Sequence, residues 1–114
     1  MSLPDELKIS AEGREGVTIV RVSGEVDLAS HEQLTEQLRA AANGGDAVVV
    51  DLSGCSFIDS SGIRALLLGE REAERFALAG PGDQVMRVLE MTGVGQVVPI
   101  HASVDEALDD AAKG

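Results

Sequence analysis

Ala47-Val48-Val49-Val50-Asp51-Leu52 is an almost wholly apolar, β-branched run. A strand of that composition has no polar face to offer water, so it needs cover on both sides, as a central strand of a parallel sheet has. The stretch that follows, Phe57-Ile58-Asp59-Ser60-Ser61-Gly62-Ile63-Arg64-Ala65-Leu66-Leu67, passes through a short polar loop into apolar residues at helical spacing. Ile63, Leu66 and Leu67 fall on one helical face, while Ala65 and Gly69 leave the other side small and flat, which favours a deeply buried helix. Together these residues predict a strand, a polar loop and a helix N-terminus that carries two hydroxyls beside a carboxylate.

The remaining elements fit around that unit. Leu7, Ile9 and Ala11 alternate with Lys8, Ser10 and Glu12, the period of a half-buried strand. Gly13-Arg14-Glu15-Gly16 is a turn into Val17–Val22, a strand apolar on both faces, so an antiparallel hairpin is expected. Residues 23–29 read as a loop that ends at Ser30, which with Gln33 has the spacing of a capping box. Leu34, Leu38, Ala41 and Ala42 then share a helical face, and Asn43-Gly44-Gly45 supplies residues tolerant of positive φ to stop the helix. Phe76–Ala79 is a short strand, and Asp83 is placed to cap a helix with Val85, Val88, Leu89 and Thr92 on one face, ended by Gly93. Val97–Ile100 is a final strand that Pro99 confines to an edge, because proline cannot donate to the ladder. Ser103 and Glu106 form a second capping box before the stripe Val104, Ala107, Leu108 and Ala111. The order ββαβαβαβα predicts an α/β fold with about four helices and a mixed sheet, an antiparallel hairpin followed by largely parallel strands.

At 114 residues the chain is long enough for one core, so a single domain spanning 1–114 is expected. No apolar run approaches the length of a membrane span, and no basic segment leads into an apolar one at the start. With Cys55 as its one cysteine, the chain suits a reducing cytoplasm. The net charge of −11 repels phosphate backbones, which argues against direct nucleic-acid binding and suits a basic protein partner or simple solubility. With Phe57 and Phe76 as the only aromatic residues, a stacking pocket for a ligand has little to be built from.

Three roles are open to the hydroxyl of Ser60: nucleophile, helix cap or phosphate acceptor. A nucleophile elbow needs Gly-x-Ser-x-Gly, and Ile58 stands where its first glycine would be. His31 and His101 are the only imidazole bases, and nothing in the sequence places either beside Ser60. Two isolated histidines and one cysteine offer no zinc spacing, and no cofactor is expected. Asp51 lies near a strand end, as a phosphoacceptor aspartate would, but it lacks an acidic pair after the first strand and a lysine to hold the phosphoryl group. Gly80-Pro81-Gly82 is followed by Asp83, whose carboxylate would repel a nucleotide phosphate. The chain therefore does not read as an enzyme. Capping and phosphate acceptance both want a hydroxyl at the start of a helix, and they are compatible.

Four stretches carry a family likeness: Ser23-Gly24-Glu25-Val26-Asp27-Leu28, Val50-Asp51-Leu52-Ser53-Gly54, Phe57-Ile58-Asp59-Ser60-Ser61-Gly62, and Gly80-Pro81 through Val88-Leu89-Glu90-Met91-Thr92-Gly93. In their order and spacing the chain resembles the anti-sigma factor antagonists, whose fold is the STAS domain. The resemblance covers almost the whole chain, and Asp59-Ser60-Ser61-Gly62 is its specific part. It implies partner switching. The unphosphorylated antagonist binds an anti-sigma factor that is also a serine kinase, phosphorylation releases it, and a phosphatase resets it. It places the acceptor at Ser60, with Asp27, Asp59, Ser61 and Gly62 around it or at the partner surface, where Arg64 also falls by its position. The other reading of a STAS-like fold is a non-switching scaffold or regulatory subunit of a transporter or sensory complex. Two departures stand out. The segment between Gly62 and Gly80 is shorter than the family's by about four residues, roughly one helical turn, and Arg64 replaces a small residue close to the phosphosite. Four residues after Ser60, Arg64 shares its helical face and could pair with a phosphoserine there.

Overall fold

The computed structural model describes residues 6–44 and 47–113, with the side chain of residue 113 left aside. Its elements are β1 (Lys8–Arg14), β2 (Val17–Val26), α1 (His31–Asn43), β3 (Ala47–Ile58), α2 (Ser60–Glu72), β4 (Phe76–Ala79), α3 (Asp83–Thr92), a 3₁₀ turn (Val94–Gln96), β5 (Ile100–His101) and α4 (Val104–Lys113). They form one five-stranded sheet in the order β1-β2-β3-β4-β5, antiparallel only between β1 and β2. The expected α/β architecture is the observed one.

The hairpin closes with Arg14 opposite Val17, and both residues between them, Glu15 (φ 50°) and Gly16 (φ 83°), have positive φ. That is the backbone twist a two-residue hairpin turn demands. Because β2 to β5 follow one another across the sheet, right-handed crossovers bring α1, α2 and α3 onto the same face. There Leu34, Leu38, Leu66 and Leu89 pack on Val20, Val50, Leu52 and Leu78. α4 follows the last strand and covers the opposite face, where Ala107 packs on Val17, Ile19, Val49 and Ala79. β2 and β3 are thus apolar on both faces because both faces are covered. Farther out on the second face, Arg21 lies 2.7 Å from Glu12 and 3.8 Å from Asp51. Arg21, with Arg14, holds the Glu12 carboxyl below the usual carboxylate range.

Several sequence expectations are corrected. β2 and β3 run on through Val26 and Ile58, so most of the predicted loop 23–29 and residues 53–58 are strand. Register shifts between Arg21 and Ser23 and between Gly24 and Glu25 interrupt the ladder, and Gly24 takes φ 95°. After Leu52 the buried positions of β3 are Cys55 and Ile58, a spacing of three that hides a strand from a period-two reading. Asp51 therefore lies inside a strand, with its carboxylate bonded to the Ser53 N–H at 3.0 Å. Ala11 is exposed rather than core-facing. Ser30 makes no cap to α1, Gly82 and not Asp83 is the N-cap of α3, and Gly44 sits at φ −67° rather than at positive φ; Gly45 lies outside the described residues. In the second capping box Ser103 Oγ accepts from the Glu106 N–H (3.2 Å), but the Glu106 carboxylate reaches the N–H of Ala102 (3.2 Å) instead of that of Ser103. The last strand starts after Pro99, at the sheet edge as expected. Among the described residues no helix is long and apolar enough to cross a membrane.

Candidate functional site

The site forms where two neighbouring parallel strands end. Val26 and Ile58 are paired in the last rung between β2 and β3, so the next residues, Asp27 and Asp59, leave the sheet side by side. The Asp59 N–H donates to the Val26 carbonyl at 3.2 Å and ties the two turns together. Each aspartate then closes its own turn. Asp59 Oδ1 accepts from the N–H groups of Ser61 (2.9 Å) and Gly62 (3.2 Å). Asp27 Oδ1 accepts from those of Ala29 and Ser30 (both 3.1 Å) and from the Ser30 hydroxyl (2.9 Å). One device, a carboxylate immediately after the strand, thus shapes both strand-to-helix connections.

This geometry separates the roles left open for Ser60. Asp59 has extended backbone (φ −115°, ψ −170°) and is the N-cap of α2, whereas Ser60 is already the first helical residue. The Ser60 hydroxyl takes no part in the cap and is exposed to solvent. Ser61 is half-buried, and its N–H goes to Asp59. Gly62 is buried against the sheet: a Cβ there would lie 2.5 Å from Ile58 Cγ1 and 2.8 Å from Val26 Cγ1. Glycine is what lets the first turn of α2 sit directly on the two strand ends that carry Asp27 and Asp59.

Because Asp59 satisfies two of the free N–H groups of the helix, Asp59→Ala is expected to destabilise the fold by about 1 kcal/mol. Asp59→Asn, which keeps an acceptor, should cost less. Urea unfolding checks this, and equal midpoints for wild type and Asp59→Ala would contradict it.

Arg64 is exposed on α2, where it lines a groove against α1 together with His31, Glu32, Thr35, Glu36 and Arg39. The small side of α2 predicted from Ala65 and Gly69 packs on α1: a Cβ on Gly69 would meet Leu38 Cδ1 at 3.0 Å. Three residues, 73–75, connect α2 to β4. Two features of the site were not picked out in the sequence as surface residues. Leu28, in the turn held by Asp27, is 75% exposed, and Phe57, two residues before Asp59, is 39% exposed. An apolar residue inside a polar motif was the available signal in each case. Cys55 lies beneath this end of the sheet, where burial pushes its thiol up and keeps it protonated. Among the described residues no cluster of histidine, cysteine or carboxylate side chains could hold a metal ion.

Comparison with known proteins bears on the family and the fold. The STAS domain family profile matches residues 8–107. An anti-sigma F factor antagonist of Paenibacillus polymyxa is 30% identical over 110 residues, which are 91% of this chain and 94% of that protein. The crystal structure of an anti-sigma factor antagonist from Mycobacterium paratuberculosis superposes with a TM-score of 0.90 at 28% identity, covering 98% of this chain and 99% of that one. The Bacillus cell fate determinant SpoIIAA in its phosphorylated form superposes at 0.68 and 26% identity, covering 90% of this chain and 98% of that one. In sequence and in fold, this chain belongs to the STAS domain family, among relatives named anti-sigma factor antagonists.

Proposed function

We propose that this protein is an anti-sigma factor antagonist switched by phosphorylation at Ser60. In this reading the unmodified protein binds, in the cytoplasm, an anti-sigma factor that is also a serine kinase. Transfer of a phosphate to Ser60 ends the complex, and a phosphatase restores it. The protein itself catalyses nothing and contacts no nucleic acid.

The observation that carries the reading is the division of labour at the start of α2. Asp59 caps the helix, and Ser60 is left exposed, with its hydroxyl outside the cap. A phosphate there adds about −1.5 to −2 charges beside two carboxylates that already shape the turns. The fold tolerates the modification because the hydroxyl holds nothing together. What changes is the surface, where exposed Leu28 and Phe57 flank the acidic residues and offer a partner two apolar anchors. The relatives' names and the existence of a phosphorylated SpoIIAA structure support the same assignment.

Incubation with the cognate anti-sigma kinase and ATP is expected to add one phosphate, mapped to Ser60 by peptide mass spectrometry. A phosphate at another residue, or none with a kinase that binds the protein, would overturn the assignment.

A further inference from the structure

We propose that Arg64 is the internal receptor for a phosphate on Ser60; this rests on reading Ser60 as the acceptor. A phosphate at a helix start is ordinarily held by the free N–H groups of the first turn. Here most of them are occupied: the N–H groups of Ser61 and Gly62 are bonded to the Asp59 carboxylate and that of Asp59 to the Val26 carbonyl, which leaves the N–H of Ser60 itself. The nearby acidic side chains, Asp27 and Asp59, repel the added charge.

One backbone N–H does not balance a charge of about −1.5 to −2, and a cation stands a helical turn away. Arg64 follows Ser60 by four residues, which places the two side chains on the same face of α2. Both are exposed. Of the two arginines in the groove between α1 and α2, Arg39 is committed to Glu72 at 3.3 Å. Arg64 forms no ion pair among the described residues, although Glu32 and Glu36 line the same groove. Its guanidinium fork suits a phosphate, to which it can donate two parallel hydrogen bonds. Phosphorylation then alters the partner-facing surface twice: it adds negative charge at Ser60 and draws the uncommitted arginine out of the groove toward it.

The test places phosphoserine at position 60 of the full chain during translation, so no kinase is needed, and follows the phosphate by ³¹P NMR as pH is varied. Its second ionisation, ordinarily near pH 6, is expected about 0.2–0.4 unit lower in the wild-type background than in Arg64→Gln. Arg64→Lys should recover part of the shift, and about 1 M salt should shrink it. The imidazole of His31, which lines the same groove, is present in every variant, so the difference isolates Arg64. Coincident titration curves for wild type and Arg64→Gln would overturn the pairing. The two readings fail separately. A kinase that never modifies Ser60 defeats the proposed switch but leaves a measured shift standing, whereas a modified Ser60 with no shift defeats only the pairing.

Discussion

Gly62→Ala is expected to destabilise the protein by about 1–2 kcal/mol and to lower its melting temperature by roughly 5–12 °C. Two effects oppose each other. In an open helix, alanine at a glycine position gains up to about 1 kcal/mol from backbone propensity. At Gly62 the added Cβ meets Ile58 Cγ1 at 2.5 Å and Val26 Cγ1 at 2.8 Å, distances at which something must move. Neither contact is the free end of a flexible chain. Both are β-branched side chains, restricted at χ1, and both residues are buried at the last rung between β2 and β3. Overpacking of this kind typically costs about 1–3 kcal/mol, so strain exceeds propensity. The displacement also has a direction. Lifting the first turn of α2 lengthens the hydrogen bonds from the Ser61 and Gly62 N–H groups to Asp59, so Ser60 moves with the helix. Differential scanning calorimetry checks the stability, and a melting temperature at or above that of wild type would show that the strand ends yield.

Gly62 also shows what the sequence could not reveal. Its neighbours come from the ends of two strands more than thirty positions apart, so no local pattern marks it as close-packed. The architecture was far more legible, because strands buried on both faces and helices with one apolar stripe announce themselves by period. Val17–Val22, Ala47–Leu52 and the stripe Leu34, Leu38, Ala41 and Ala42 all lie where their patterns place them. The pattern failed where the backbone itself departs from regularity. Ser23-Gly24-Glu25 has the composition of a loop, yet it continues β2 through two register shifts, with buried Gly24 standing where a side chain would otherwise keep the alternation visible.

At the start of α2, the sequence left the division of roles open. Asp59 and Ser60 are adjacent, and either is a good N-cap residue by type. Only the extended backbone of Asp59 decides that it caps and that Ser60 is released. The same limit explains Ser30. By spacing it belongs to a capping box, but its hydroxyl is engaged with Asp27 and with the Glu25 carbonyl, because Asp27 has already closed that turn. A carboxylate following a strand was thus a stronger local organiser than a serine preceding a helix, and both turns at the site obey it.

If charge at Ser60 is what releases the partner, Ser60→Asp should weaken binding to the anti-sigma factor by roughly 1.4–2.8 kcal/mol, ten- to a hundredfold. Ser60→Ala should bind within about threefold of wild type, because the hydroxyl makes no cap whose loss would be felt across the fold. The aspartate brings one negative charge to a position beside Asp27 and Asp59, at the centre of the proposed contact surface. On binding, a third carboxylate there would have to be desolvated while the Ser61 and Gly62 N–H groups of the helix start are already taken. A phosphate, with nearly twice the charge, should act more strongly still. Size and charge are separated by Ser60→Asn, which has almost the shape of aspartate and no charge. Isothermal titration calorimetry of the three variants then has distinct outcomes. Tight binding by Ser60→Ala and Ser60→Asn with weak binding by Ser60→Asp assigns the switch to charge. Equal weakness of Ser60→Asn and Ser60→Asp assigns it to bulk, and equal affinity of all three removes position 60 from the contact altogether.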